Sequence, residues 1–346
     1  MSEPTTNRPG GVRNVSASPG RRRHLTREGR IALSLAAVII ILFFLSGILA
    51  PGTLTLSHAL EVGRQAVPLG LTAIGHTFVI LTGGIDLSVG EIITMTNIIG
   101  TDLMRGRPEA ALPVMGLLLG LGTLIGVLNG AVIAYTRVPP LVMTFGMSFI
   151  VRGFYLIYSG GTPKGSVSPL LRTIGAERIG IIPVSLLLYI AVILLFALIT
   201  RRTVWGRSVF FIGNNPQAAH YSGIPVKARL LFAYGTSGLL ATMAGFVLSG
   251  YIRIANFDIG GEAYTLNSVA AAVVGGNTFT GQGSVLGSVL GSFIITQVTS
   301  LMTSLGVGES GKLIMRGVVI VAMVAIYAAP AQWSFLMRRR QAPAGR

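Results

Sequence analysis

The sequence predicts an all-α protein, a polytopic helical bundle with about ten transmembrane helices. Of its 346 residues, 51% are hydrophobic and only 11% are charged, and the mean hydropathy is +0.71. Soluble domains carry about 25% charged residues, so a chain this poor in charge belongs in lipid rather than in water. The 46 glycines are roughly twice the usual share and are typical of closely packed membrane helices.

Long windows without a charged residue mark the individual spans, because a helix needs about 20 apolar residues to cross the hydrocarbon core. Residues 263–308 form a double-length window, and the sequence GGNTFTGQG within it indicates a turn between two helices. Windows 86–103 and 140–158 are apolar but contain charges, so they count as weaker spans. The remaining windows are 31–60, 65–85, 110–136, 179–200, 230–252 and 317–337.

The basic residues predict the orientation, because cytoplasmic loops retain Lys and Arg. With ten spans both termini lie on one side, and placing them in the cytosol also puts the basic loop 201–228 there. We therefore expect residues 1–30 to be a basic, disordered cytoplasmic tail and residues 31–337 to be the transmembrane domain. Residues 338–346 form a second basic tail on the same side.

The composition excludes several classes of function. The net charge of +16 is concentrated in the tails, which argues against a nucleic-acid partner. Without cysteine there is no disulfide, thiolate nucleophile or Cys-based metal site. The four histidines, His24, His58, His76 and His220, form no HExxH pair. We predict no catalytic, cofactor-binding or metal site, and the chain is not expected to be an enzyme.

The stretch TGGIDLSVGEIITMTN, residues 82–97, places a carboxylate inside the membrane region. Intramembrane polar groups normally face a cavity or a partner, so a polar helix face here would suit a water-lined path. A structural alternative is equally open, in which Ser88 and Glu91 form a capping box and Asp86 lies near a positive helix N-terminus. The residues that share the polar face at helical spacing are Asp86, Gly90, Thr94, Asn97 and Thr101.

Glycines recur at four-residue spacing in two stretches. Small residues at this spacing let helix backbones approach closely, which predicts tight packing within the bundle or against a second subunit. A narrow transport path is the alternative. The two sets are Gly122, Gly126 and Gly130, and Gly283, Gly287 and Gly291, and Gly116 and Gly120 form a further pair at the same spacing.

The basic loop contains the signals of a complete short helix in GNNPQAAHYSGIP, residues 213–225. Asn215 is a helix cap, Pro216 suits the first helical position, and Gly223 suits the left-handed residue that ends a helix. So short a helix is marginal alone in water, which indicates that it is stabilised by docking. Small Ala218 and Ala219 would let a partner come close. An interfacial loop helix without a partner remains the alternative.

Three of these segments resemble the ribose-type family of ABC importer permeases, the membrane subunits of bacterial uptake systems for pentoses and related sugars. The resemblance covers roughly residues 62–328. Its most specific parts are TGGIDLSVG at 82–90, GNNPQAAHYSGI at 213–224 and AAAVVGGNTFTGQGSVLGSVLG at 270–291.

The resemblance implies a multi-pass protein of the bacterial inner membrane that does no chemistry itself. Its implied partners are a second permease subunit, identical or different, a cytosolic ABC ATPase, an extracytoplasmic sugar-binding protein and membrane lipid. The expected cargo is a ribose- or xylose-like monosaccharide or a related small polyol. ATP-driven closure of the ATPases would switch the bundle between outward-open and inward-open states.

The short helix resembles the family's ATPase-coupling segment, written EAA-x3-G. Ala218, Ala219 and Gly223 match that pattern, whereas Gln217 stands in place of Glu and removes a negative charge. Glu91 stands where many relatives carry a small or hydroxyl residue. Candidates to line the sugar path are Asp86, Ser88, Gly90, Thr94, Asn97, Asn129, Asn267 and Gln297.

Two other classes of function compete with this interpretation. A secondary transporter could use Asp86 and Glu91 as ion-coupling carboxylates, with no ATPase. A membrane-embedded enzyme would need a catalytic constellation, and the sequence offers none.

Overall fold

The computed structural model describes residues 27–136, 138–315, 317–318 and 321–322, and these residues are almost entirely helical. Residues 309–315 are helical too, whereas most of window 317–337 and the two distal tails lie outside the described residues. The helices are α1 (Arg27–Leu49), α2 (Leu56–Leu81), α3 (Val89–Met104), α4 (Ala111–Tyr135), α5 (Pro140–Ser159), α6 (Pro169–Ala176), α7 (Val184–Arg202), α8 (Val204–Asn214), α9 (Pro216–Tyr221), α10 (Val226–Ile252), α11 (Gly261–Val274) and α12 (Val285–Ser304). The strands β1 (Arg178–Ile179) and β2 (Ile182–Pro183) form a small antiparallel hairpin.

The predicted all-α fold is confirmed, and so is the turn within 263–308, because α11 ends at Val274 and α12 begins at Val285. The second span starts earlier than its charge-free window, since Thr55 caps α2 and its side chain accepts from the His58 amide. A charged pair, Glu61 and Arg64, is accommodated inside that helix. Charge-free windows thus locate the apolar stretch rather than the helix ends.

Six helices of the described part are long and apolar enough to cross a membrane. They are α1, α4, α5, α7, α10 and α12. The polytopic fold class is therefore confirmed. α3 and α11 are shorter, at 16 and 14 residues, and α2 carries charges near its start.

The helices divide into a buried centre and an apolar periphery. Of the most apolar window in α10, 72% is buried, compared with 11% in α1 and 22% in α5 and α7. α10 packs against α2, α3 and α4, and α2 is enclosed along nearly its whole length. The outward side chains of the peripheral helices are large and apolar, such as Phe44, Ile48 and Leu194, as a lipid-facing surface requires.

The connections between helices gather at two ends of the bundle. At one end, Gly213 of α8 lies directly against the backbone of Leu81 and Gly281, and Glu28 lines a cavity with Ser284. At the other end, the Gly106 amide donates to Ser166 O at 3.0 Å and the Val167 amide to Arg253 O at 3.1 Å. We call these the α9 end and the α6 end, after the short helix that lies at each.

α3 begins inside the bundle rather than at its surface. The preceding loop, residues 82–88, turns inward from the α9 end, and Asn129 Nδ2 donates to Ser88 Oγ at 3.0 Å. Asn129 lies about 9 Å along α4 from its last residue. The N-terminus of α3 therefore sits at membrane depth.

α11 also begins inside the bundle, because residues 253–260 run back along α3 from the α6 end. Asn97 accepts from the Asn256 amide at 2.7 Å and donates to Ile254 O at 3.2 Å. The segment ends at Gly260, whose backbone touches that of Gly90 so closely that neither glycine has room for a Cβ. Irregular backbone at this depth is tolerated only where protein or a water-filled cavity surrounds it.

Candidate functional site: the α9 segment and the intramembrane polar residues

The α9 segment, residues 213–225, has the geometry that its sequence indicates. Asn215 Oδ1 accepts from the amides of Gln217 and Ala218, both at 3.0 Å. The helix ends at Gly223, whose φ of +78° is the left-handed conformation. The Ile224 amide then donates to a carbonyl of the helix at 3.0 Å, which closes the C-terminus.

One side of the α9 segment packs on the bundle, and the opposite side is exposed. Ala219 is buried against the bundle, and the Arg229 guanidinium lies 3.7 Å from the centre of the Trp205 ring, which fixes the start of α10 to α8. The outer side of α9 is exposed, and Tyr221 is 88% exposed. The exposed residues of the segment are Asn214, Asn215, Pro216, Gln217, Ala218, His220, Tyr221, Ser222, Gly223 and Pro225.

Ser88 and Glu91 do not form the predicted capping box. Ser88 lies in the αR conformation and its side chain makes no capping bond. Its hydroxyl donates instead to Asp86 Oδ1 at 2.6 Å, and the Ser88 amide donates to the same oxygen at 3.1 Å. The capping-box prediction was wrong because the tight turn before α3 lets Asp86 capture the hydroxyl.

Asp86 belongs to a buried polar cluster around the loop 82–88. Its carbonyl lies 3.1 Å from His76 Nε2, and the other ring nitrogen lies 3.2 Å from Ser268 Oγ of α11. All three residues are fully buried, as is Asn129, which donates to Ser88. The cluster ties α2, α4 and α11 to the loop.

The other polar candidates are placed in different surroundings. Thr94 is fully buried and donates to Gly90 O at 3.2 Å, and Asn97 bonds the segment 253–260. Gln297 donates to Ser46 Oγ at 3.0 Å and so ties α12 to α1. Asn267 is partly exposed on α11. Asn97 also donates to Ser249 Oγ of α10 at 3.0 Å, so it and Gln297 make helix-to-helix bonds.

The first set of spaced glycines lies along the contact between α4 and α10. Gly126 touches Tyr234 O, and Gly130 touches Leu230 O, with no room for a side chain at either position. Gly122 lies against Thr242 and Gly238 in the same contact. Backbone-to-backbone contact of this kind is the usual consequence of small residues at four-residue spacing.

The second set differs from its prediction at one position. Gly287 and Gly291 of α12 pack directly on the backbone of α11, at Gly275 and Ala271 respectively. Gly283 lies in the turn before α12, has a φ of +155° and adjoins the Asn277 side chain. It is not part of the helix face because Ser284 caps α12 one residue later.

Glu91 takes part in a contact that the sequence does not reveal. Tyr155 of α5 donates to Glu91 Oε2 at 2.7 Å, although the two residues are 64 positions apart. Tyr158 makes a similar bond to Asp102 at 2.9 Å, so two Tyr–carboxylate pairs join α5 to α3.

Within the described residues, no group of three His, Asp or Glu could hold a metal ion.

Comparisons with known proteins agree with the resemblance in the sequence. Residues 59–324 match the family described as "Branched-chain amino acid transport system / permease component". No solved structure matches the chain.

Three relatives cover nearly the same length. The ribose import permease protein of Bacillus subtilis (strain 168) is 32% identical over 294 residues, which cover 83% of this chain and 89% of the relative. An autoinducer 2 import system permease protein of Photorhabdus temperata is 31% identical over 304 residues, with 84% and 89% covered. That of Escherichia coli (strain K12) is 31% identical over 301 residues, with 84% and 90% covered.

The matched region contains every helix from α3 to α12 and all three of the specific motifs. The apolar periphery and the helices long enough to span a bilayer agree with the membrane location of such permeases. The chain therefore belongs to the ribose-type family of ABC importer permeases and is a transport subunit of the bacterial inner membrane.

Proposed function

We propose that this chain forms, with a second permease subunit, the membrane path of an ABC importer for a ribose- or xylose-like monosaccharide or a related small polyol. Two relatives that match over most of their length carry ribose import or autoinducer 2 import in their names. A cytosolic ATPase would supply the energy and an extracytoplasmic binding protein would deliver the sugar.

The observation that carries the proposal is the α9 segment. It is a capped helix with its small and polar residues exposed and its Ala219 side anchored to α8 and α10. A helix of six residues is not stable by itself, so its exposed side suits a protein partner at the α9 end. The ATPase is the partner that the family requires there.

The arrangement of the chain also supports ten spans with cytoplasmic termini. Tracing α1, α2, α3, α4, α5, α7, α10, α11 and α12 between the two ends puts the start of α1 and the α8–α9 loop at the same end. The helix that begins at residue 309 would return the chain to that end as the tenth span. The α9 end also holds Arg201, Arg202, Arg207 and Lys227, as the positive-inside rule demands of a cytoplasmic side.

The test replaces Gly223 with Val in the assembled importer. A β-branched residue is strained at a φ of +78°, so the end of α9 would be distorted while the membrane helices stay intact. We expect ATP hydrolysis to be uncoupled from sugar uptake. Uptake should be lost although the amount of complex in the membrane is normal. Gly160→Val is the matched control, because Gly160 also ends a helix with a φ of +61° but lies at the α6 end.

Normal sugar-stimulated ATPase activity and uptake in the Gly223→Val complex would refute the coupling role. A separate measurement addresses the ion-coupled alternative with Asp86 and Glu91. Vesicles that contain only this permease and carry a proton or sodium gradient, but no ATP, should take up no sugar. Uptake there would support the secondary transporter.

A further inference from the structure

A cavity with charged walls lies where α3 and α11 begin inside the bundle. The space inside it that is open to a water-sized molecule is about 110 Å³. Glu91 is in the first turn of α3, and Glu262 is in the first turn of α11. The residues that line it are Leu87, Glu91, Phe145, Ser148, Phe149, Arg152, Glu262, Thr265 and Leu266.

Arg152 is the third charge of this cavity, and it lies at a depth where a charge that faces lipid is costly. It lies about 18 Å along α5 from the first residue of the helix and about 10 Å from the last, which is membrane depth. Its side chain is exposed and, within the described residues, is in neither a salt bridge nor a hydrogen bond. Unpaired charges at this depth face a water-filled path or another subunit.

Glu91 is held in place while it lines the cavity. It is only 9% exposed, and Tyr155 fixes one of its carboxylate oxygens at 2.7 Å. Tyr155 is in turn stacked on Phe257 of the inward segment at 6.0 Å between ring centres. The carboxylate is therefore positioned by two elements before any ligand arrives.

The open side of the cavity is aromatic. The Phe145 and Phe149 rings lie edge to face with 4.9 Å between centres, and they are 52% and 56% exposed. An aromatic face beside a few fixed polar groups is the usual design of a small-molecule site. Carboxylate and guanidinium groups bind neighbouring hydroxyls in pairs, and the C–H face of a sugar ring packs on aromatic rings.

From this juxtaposition we infer that the cavity between α3, α5 and α11 is the intramembrane contact site for a neutral, polyhydroxylated cargo of monosaccharide size. Glu91 and Arg152 bond its hydroxyls, and Phe145 and Phe149 contact its ring. Two carboxylates against one guanidinium disfavour an anionic cargo. The inference rests on the proposed function and adds to it the residues that touch the sugar.

The experiment uses a reconstituted importer with its ATPase and binding protein, and it exploits the absence of cysteine from this chain. Ser148→Cys places one permease thiol in the cavity, and Leu194→Cys places one on the outward face of α7, where Leu194 is 65% exposed. The readout is the rate of labelling by a charged, membrane-impermeant methanethiosulfonate, with and without D-ribose or D-xylose.

We expect the thiol of Ser148→Cys to be labelled and the transported sugar to slow its labelling, while that of Leu194→Cys stays unlabelled. Adding Glu91→Gln or Arg152→Gln to Ser148→Cys should raise the half-protecting sugar concentration about tenfold, because each removes a charged hydrogen-bond partner. Asp102→Asn is the matched control. It also removes the charge from a Tyr–carboxylate bond between α3 and α5, but outside the cavity, and should leave protection unchanged.

Three results would overturn the inference: an unreactive thiol at position 148, labelling that a transported sugar does not slow, or equal effects of Glu91→Gln and Asp102→Asn. Protection by L-leucine instead of the sugars would assign the cavity to an amino acid and count against it as well. ATP-driven uptake of D-ribose and D-xylose by the unmodified complex is measured in parallel. If neither is carried, the proposed function itself fails, whereas uptake without protection removes only this cavity.

Discussion

At the scale of single residues, the intramembrane amides serve different purposes although the sequence presents them alike. Asn97 makes three bonds, to Ser249, to Ile254 O and from the Asn256 amide, and it is fully buried. Asn267 is partly exposed on α11. Burial rather than residue type therefore separates a structural amide from one whose side chain is accessible.

This difference predicts the outcome of replacing each Asn by Leu. Asn97→Leu removes its buried bond to Ser249 Oγ and its two part-buried bonds, to Ile254 O and from the Asn256 amide, and each hydrogen bond contributes about 0.5–1.5 kcal/mol. We expect a clearly lower thermal unfolding midpoint of the purified protein in detergent. Asn267→Leu is the control and should change the midpoint little. Equal midpoints for the two variants would contradict the assignment.

Local sequence signals predicted some residues well and others not at all. Asn215 and Gly223 were identifiable because a cap and a left-handed residue depend on their immediate neighbours. The capping box of Ser88 and Glu91 failed because both side chains have nearer or stronger partners, Asp86 and Tyr155. The Tyr155 contact spans 64 positions of sequence, so no local pattern could indicate it.

At the scale of elements, the glycine spacing in α4 marks one side of the helix and not the other. Gly126 touches the backbone of α10, whereas Gly120 has no atom within 4 Å of where a Cβ would lie. The same spacing argument applies to both, so the sequence indicates a packing helix without saying which glycines form the contact. Which glycines form the contact depends on which side of α4 faces α10.

The contrast gives a matched pair of substitutions. Gly126→Ala would force its methyl group into Tyr234 O, and the two helices would have to separate along their whole contact. Overpacking of this kind costs about 1–3 kcal/mol. We expect a lower unfolding midpoint for Gly126→Ala than for Gly120→Ala, which should equal the unmodified protein. A drop in the Gly120→Ala midpoint as large as that of Gly126→Ala would show that the α4–α10 contact is not the cause.

Helix ends were predicted less well than helix identity. The charge-free windows found α4, α7 and α10 because lipid selects against charge along a whole span. They could not show that α3 and α11 start inside the bundle, since the inward segments 82–88 and 253–260 are stabilised by remote bonds such as those of Asn129 and Asn97. The composition of a segment indicates whether it lies in lipid or in water, whereas the depth at which a helix begins depends on its contacts with other elements.

At the scale of the whole molecule, the two ends make a direct prediction about sidedness. Thr162→Cys at the α6 end should react with an impermeant maleimide added to the periplasmic side of intact inner membranes. Ser222→Cys at the α9 end should react only after permeabilisation, because the positive-inside rule assigns the basic end to the cytosol. Both positions are exposed in the described structure and the chain offers no other thiol. The opposite pattern would invert the orientation and place α9 beyond reach of an ATPase.

The contact of Gly90 with Gly260 limits how this transporter changes shape. The main chains touch here without intervening side chains, so no change of rotamer can relieve the contact. We therefore expect α3, the inward segment and α11 to move as one block. We expect alternating access to move this block relative to α5, which is joined to α3 by side-chain contacts such as Tyr155–Glu91 rather than by touching main chains. A crosslink between α3 and α11 should leave the rate of transport unchanged, whereas a crosslink between α5 and α11 should stop transport.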